Sequence, residues 1–316
     1  MPKTPIDAFT LSGRTMGTFW QVRLDTPLAA EERHSLTAAF QAAVGEVDQQ
    51  MSTWNRQSAL MRFNAAPCDE WHPLPAPLMT VLEAGLAVSA LSGQAFEMNV
   101  GAAVRAWGFG PDAINLAAIR QASAAAPVRA ADALTLNPAA GLARKAAPLT
   151  LDLSGIAKGY GVDRLAETAL GHGLTRALCS IDGEVRALGR RADDSPWCVG
   201  IDAPDAGHRR GSHSILMLED GAVATSGDYR HFVEVRGTRL SHTINPLTQA
   251  PLLEAPASVT VMAQSCMMAD AMATALMVFG PDRGRVLAEA QGLSALFIRR
   301  DGTVTGTGHF SETETA

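Results

Sequence analysis

Three stretches of this chain hold residues whose types and spacing suit diphosphate chemistry. The first is LDLSGIAKGYGVD, Leu151 to Asp163. Leu151 and Leu153 flank Asp152 in the alternation of a strand end, and Ser154 and Gly155 make a tight turn. Ile156, Tyr160, Val162, Leu165 and Ala169 recur at helical spacing, so a helix begins near Gly155. A helix N-terminus offers unpaired N–H groups and partial positive charge, which suit phosphate. Lys158 adds a cation in the first turn, and Asp152 is placed to hold a polar ligand group or a metal-linked water. The plainer reading is an ordinary strand-to-helix turn with a solvated lysine. The second stretch is SVTVMAQSCMMADAMATALMVFGP, Ser258 to Pro281. Val259 and Val261 form a strand, Ser265 caps a helix, and Gly280–Pro281 ends it. Asp270 and Thr274 lie four apart on one face of that helix, among apolar neighbours. A buried carboxylate needs a partner. Mg²⁺ is one, because it takes hard oxygen ligands; an arginine for Asp270 and a backbone carbonyl for Thr274 are the alternative. The third stretch is SHTINPLTQAP, Ser241 to Pro251. His242 there suits a general base, or a structural hydrogen bond.

These residues need a scaffold. Gly17–Asp25 alternates and reads as a strand, with Arg14 to Gly17 leading into it. Glu31–Gln50 and Pro77–Ser92 are helices; Leu36, Phe40, Val44 and Val47 share one face of the first. Between them, Ser58 can cap a short apolar segment, and Trp54 stands among polar neighbours, as a core residue or a ring-stacking one. Phe96, Met98 and Val100 alternate against Glu97 and Asn99, which predicts a short strand. The run Gly108–Phe109–Gly110–Pro111 forces an irregular loop. It serves either close approach to a flat ligand or a hydrophobic plug. Ala122–Ala147 is Ala-rich and reads as an irregular excursion around one strand, Ala133–Leu136. Thr175–Leu188 is a hairpin turning at Asp182–Gly183. Trp197–Asp202, Ser214–Leu218, Ala222–Ser226 and His231–Val235 add strands, so this half is rich in antiparallel β. A helix (Arg283–Ala290), a strand (Ala295–Arg299) and a polar tail finish the chain.

Composition narrows the function classes. The 316 residues are 47% hydrophobic, enough for a large core in one domain or two tightly joined ones. A net charge of −6 argues against a nucleic-acid surface. No apolar run is long enough to span a bilayer. The start lacks the apolar stretch of a signal peptide, so the chain as written reads as cytoplasmic, or as periplasmic or membrane-anchored if a leader was trimmed. Cys68, Cys179, Cys198 and Cys266 show no paired or zinc spacing and read as reduced, mostly buried thiols.

Seven pieces in this order resemble the ApbE family of FAD:protein FMN transferases. They are MGT at Met16, MSTW-N-SAL-RFN at Met51, VG-V-WGFGP at Val100, LDLSGIAKGYGVD at Leu151, ATSGDY at Ala224, SHTINP at Ser241 and ADAMATAL at Ala269. The likeness runs from Met16 to about Gly280. It implies an α+β fold: a two-lobed globule of mixed, largely antiparallel sheets and packed helices. The FAD site would lie in the cleft between lobes. Residues 1–316 would form a single domain with polar ends at 1–12 and 302–316. It implies Mg²⁺-dependent transfer of FMN from FAD to a Thr or Ser of an acceptor flavoprotein, with release of AMP. By resemblance, Asp270 and Thr274 bind the metal, with a backbone carbonyl from Gly155. Asp152 and Lys158 contact FAD, as do Met16, Trp54, Ala95, Phe96, Glu97 and Ile244. His242 activates the acceptor hydroxyl. This chain holds no D-x-x-S/T-G-A/S-T acceptor pattern, so its acceptor is expected in trans. The competing readings are an FAD pyrophosphatase, with water as nucleophile, and a flavin-binding protein without turnover.

Three positions depart from the family's usual pattern. Glu97 stands for Asp, Asn245 for the Asp of the H-x-I-D-P loop, and Asp182–Gly183–Glu184 for a Gly-Gly-Asp/Asn run. The first lengthens an acidic arm, the second removes a carboxylate beside His242, and the third adds an acid near the substrate region.

Overall fold

The computed structural model describes residues 9–124, 126–203, 212–227, 232–235 and 238–311. Its centre is an eight-stranded sheet. The strands are Phe9–Thr15, Thr18–Leu24, Ala177–Ile181, Glu184–Leu188, Gly221–Gly227, Ser258–Ala263, Ser294–Ile298 and Val304–Gly306. They lie side by side in chain order, and every neighbouring pair is antiparallel. Alternation orients them: Trp20, Val22 and Leu24 are buried, while Phe19, Gln21 and Arg23 are exposed.

One face of the sheet carries two helices, Ala30–Met51 and the central helix Ala157–Gly171. Phe40 and Val44 from the first, and Val162, Leu165 and Ala169 from the second, pack on Trp20, Val22 and Cys179. Burying one such large side chain contributes roughly 1.5–3 kcal/mol. On strands Glu184–Leu188 and Gly221–Gly227, Val185, Ala187 and Val223 pack instead with Trp197 and Leu218. Those two come from a two-stranded ribbon, Trp197–Asp202 with Ser212–Leu218. The largest apolar cluster joins the long helix Cys266–Ala290 to the helix Ala76–Leu91 and the segment Leu149–Tyr160. Ser265 caps the long helix by accepting from Met268 N. Gly280, at φ 72° and ψ 175°, breaks it just before Pro281, as the sequence predicts.

Several expectations are corrected. Phe9–Thr15, read as a polar end and a lead-in, is a strand paired along its whole length with Thr18–Leu24. At the other end Val304–Gly306 forms the sheet edge and Phe310 is buried, so residues 302–311 are more than a polar tail. Phe96, Met98 and Val100 do not form a strand, and Leu151–Leu153 is extended without a ladder. Side chains satisfy the backbone there instead. Asn64 gives its amide to Leu151 O and takes Leu151 N, at 2.9 and 2.8 Å. Asn99 Oδ1 takes Thr150 N, and Asp152 N bonds Met98 O. Residues 126–147 are more regular than the sequence predicts: beside the expected strand, here Leu134–Asn137, they hold a second, Leu142–Lys145, and both join Trp71–Pro73 in a three-stranded sheet. The cysteines are free, but only Cys179 and Cys266 are buried; Cys198 is exposed on the ribbon. Among the described residues, no helix is long and apolar enough to cross a membrane.

Candidate active site

The central helix and the long helix cross at glycine. A Cβ on Gly159 would lie 2.3 Å from Cys266 O and 2.7 Å from Asp270 Cβ, so only glycine permits this approach. The closeness lets Asp270 Oδ2 accept from Gly159 N at 2.9 Å, capping the first turn of the central helix. One turn further along the long helix, Thr274 meets the loop before the central helix. A Cβ on Gly155 would lie 2.8 Å from Thr274 Oγ1. Gly155, Asp270 and Thr274, which the resemblance groups, are thus brought together. Ser226, to which the sequence gives no role, completes the group from the sheet: its hydroxyl is 3.3 Å from Thr274 Oγ1. Its only signal was its place in ATSGDY, of which Asp228 and Tyr229 lie outside the described residues.

Lys158 is not a solvated lysine. Its Nζ is 2.8 Å from Glu184 Oε1 and 3.5 Å from Asp182 Oδ2, both at the hairpin turn. Asp182 there takes a left-handed φ of 57°. Burial opposes the ammonium form, but Glu184, Asp270 and Asp182 outweigh it, so the Lys158 pKa rises. At Asp270 the neutral form is the one favoured. Burial, then the charge of Glu184, pushes its carboxyl up to about 7, with Lys158 and the Gly159 N–H opposing. Among the described residues, no three His, Cys, Asp or Glu side chains converge as a metal cluster. The oxygens offered are those of a carboxylate, hydroxyls and backbone.

A second group lies at the other side of the Leu151–Ile156 loop. A narrow cleft there is lined by Thr53, Asn64, Gly101, Arg105, Gly110 and Asp152. It unites the MSTW segment, the WGFGP segment and the central stretch. Buried Asp152 accepts Ser154 N at 2.8 Å, and burial pushes its carboxyl up against that bond. Trp54, next to Thr53, is 66% exposed, so the sequence alternative of a core tryptophan does not hold. The Trp107 indole donates to Gln249 O at 3.1 Å and ties the WGFGP segment to the loop that carries His242.

The remaining predicted positions are distributed around these groups. Met16, at φ 45°, reaches the central helix, its Cε 2.8 Å from where a Gly161 Cβ would stand. Ala95 and Phe96 have their side chains in the apolar core, and Ile244 is buried in the hairpin it forms with Pro251. Glu97 Oε1 accepts Asn99 N and Ala130 N, at 2.7 and 3.0 Å, and burial raises its pKa. The longer arm of this departure thus reaches a second segment of chain. Asn245 Oδ1 accepts Leu247 N at 2.9 Å, a turn that an aspartate would close as well. His242 lies between the strands Thr238–Ser241 and Ile244–Asn245.

The model of the ApbE family matches residues 16–297. The FAD:protein FMN transferase of Vibrio cholerae is 35% identical over 296 residues, 93% of this chain and 88% of its own length. That of Escherichia coli K12 is 31% identical, covering 92% of this chain and 84% of its own. The crystal structure of the Pseudomonas stutzeri flavinyl transferase ApbE, in apo form, superposes with a TM-score of 0.85 at 34% identity. It covers 100% of this chain and 99% of the other.

Proposed function

The chain belongs to the ApbE family and is an enzyme of flavin transfer, and we propose its finer chemistry: Mg²⁺-assisted transfer of FMN from FAD to a threonine or serine hydroxyl of an acceptor flavoprotein, with release of AMP. The observation that carries this reading is the cradle of Gly155, Asp270, Thr274 and Ser226 at the start of the central helix. The residues fit a hard divalent cation. A carboxylate, two hydroxyls and the backbone of a glycine supply oxygen, and a Cβ at Gly155 would fill the space. Asp270 and Thr274, with the Gly155 carbonyl, would hold the ion. When bound, it supplies charge neutralisation at the diphosphate and at the departing AMP.

The protein's own residues do the rest. Lys158 brings an ammonium to the same helix start, where it meets diphosphate charge. Asp152 and Trp54 bind FAD at the narrow cleft, and Met16 does so from its place against the central helix. Ala95, Phe96 and Ile244 offer the flavin backbone contacts, because their side chains are buried. Glu97 fixes the segment of Ala95 and Phe96 by accepting Asn99 N and Ala130 N. His242 takes the proton of the acceptor hydroxyl as its oxygen attacks phosphorus. The FMN-side P–O bond forms to the acceptor, and the bond to AMP breaks.

The test is to incubate the protein with FAD and Mg²⁺, with and without an acceptor flavoprotein domain, following AMP and the acceptor's mass. AMP together with acceptor-bound FMN is expected. AMP with only free FMN would make the enzyme a pyrophosphatase, and bound FAD without AMP would make it a binding protein.

A further inference from the structure

Glu184 is 2% exposed, yet only one of its carboxylate oxygens is matched. Oε1 takes the Lys158 ammonium at 2.8 Å. Oε2 is fully buried and has no hydrogen-bond partner among the described residues. A buried carboxylate oxygen without a donor is costly, and a native protein keeps one where a ligand, water or ion completes it. The surrounding charge points the same way. Lys158 stands in the field of Glu184, Asp270 and Asp182, three carboxylates against one ammonium. That cluster carries a surplus of two negative charges when all are ionised, which one divalent cation cancels. The strand Glu184–Leu188 also pairs with Gly221–Gly227, the strand that brings Ser226 to Thr274.

We propose that Glu184 is a positioning residue that couples the cation to the diphosphate lysine. One oxygen holds Lys158 in place, and the other accepts a hydrogen bond from the water shell of the cation held by Asp270 and Thr274. The coupling runs in both directions, as linkage requires. Cation binding satisfies Oε2 and relieves the excess negative charge, which loosens the hold on Lys158 and frees it for phosphate. This inference rests on the cation reading of the Gly155–Asp270–Thr274 cradle.

The test uses Mn²⁺, read by its electron paramagnetic resonance, as the cation probe, with the full chain and with FAD binding followed separately. Glu184→Gln keeps the shape and removes the charge; Glu184→Asp keeps the charge. Near-ultraviolet circular dichroism checks that both fold. E184Q is expected to lose tenfold or more in Mn²⁺ affinity, in the range of second-shell substitutions, with E184D recovering most of it. Without cation, E184Q is expected to bind FAD at least as tightly as the unchanged protein, because Lys158 loses its competing partner. An E184Q protein that binds Mn²⁺ within twofold of the unchanged one would overturn the coupling alone. Equal weakening of Mn²⁺ and of cation-free FAD binding, or an E184Q chain that does not fold while E184D does, would overturn it in favour of a purely structural glutamate. An unchanged protein that takes up no Mn²⁺ would overturn the cation reading and the coupling together.

Discussion

Asp163 and Asp270 belong to the two helices of one seam, and each reaches across it to the first turn of the other. Asp163, on the central helix, takes Cys266 N and Met267 N at 2.9 Å each and Arg186 Nη1 at 2.7 Å. Asp270, on the long helix, takes Gly159 N. Burial raises both carboxyls. At Asp163, two backbone donors and a guanidinium oppose it. At Asp270, the charge of Glu184 adds to burial and carries the group to about 7. The same residue type, in mirrored positions, is thus a structural clamp at one end of the seam and an under-compensated acid at the other. Satisfied buried charge holds a fold; charge left in excess awaits a ligand.

The comparison breaks most visibly by exchanging the two acids for neutral groups. Asp270→Asn keeps volume and an acceptor for Gly159 N. Mg²⁺-dependent AMP release should fall on the order of 10²–10³-fold, with the unfolding midpoint held or raised. Asp163→Ala should do the reverse. It strands Arg186 and two helix N–H groups, so urea unfolding should show a loss of about 3 kcal/mol. Activity lost without stability in that variant would put Asp163 in the chemistry and end the distinction.

Much of this seam was legible in the sequence, and the unread part has a physical cause. Asp270 and Thr274 show themselves through helical spacing among apolar residues, and Ser265 and Gly280 mark where that helix starts and breaks. Those signals are local. Asn64 acts on Leu151 from 87 residues away, and Asn99 on Thr150 from 51. A side chain that stands in for a neighbouring strand leaves no periodicity, so Phe96–Val100 imitates a strand that never pairs. Phe9–Thr15 failed the other way, because Ser12, Gly13 and Arg14 dilute its apolar alternation. Lys158 stands in the first turn of the central helix, as the spacing predicts, but its partners come from a hairpin that local spacing does not connect to it. Asp163 ends the central motif, yet nothing nearby in sequence shows which helix it caps.

A finer test lies in pH. The folded protein holds a proton on Asp270 up to about 7, far above an unfolded aspartate near 3.8. The folded state therefore binds more protons between those values, and this group's contribution to stability falls as pH rises through that window. Denaturant midpoints without cation should show the decline, and D270N should lack it. On the proposed cation reading, binding needs the ionised form, so Mg²⁺ affinity should rise roughly tenfold from pH 6 to pH 8. A flat profile would return Asp270 to the class of Asp163. The smallest effect is expected at Asn245. Asn245→Asp preserves the turn to Leu247 N, and transfer rates should stay within about threefold.

The sheet adds its strands in the order in which the chain is written, from Phe9–Thr15 at one edge to Val304–Gly306 at the other. A nascent chain can therefore lay the sheet down as it emerges, strand upon strand. The seam between the two helices cannot follow that schedule. Gly159 and Asp270 are 111 residues apart. At about 5–20 residues per second, a ribosome leaves the central helix uncapped for roughly 5–20 s. During that interval its glycine face is bare and its first turn lacks a carboxylate. A half-made chain can therefore possess much of its sheet while Gly155 and Gly159 still wait for Thr274 and Asp270 to arrive on the long helix.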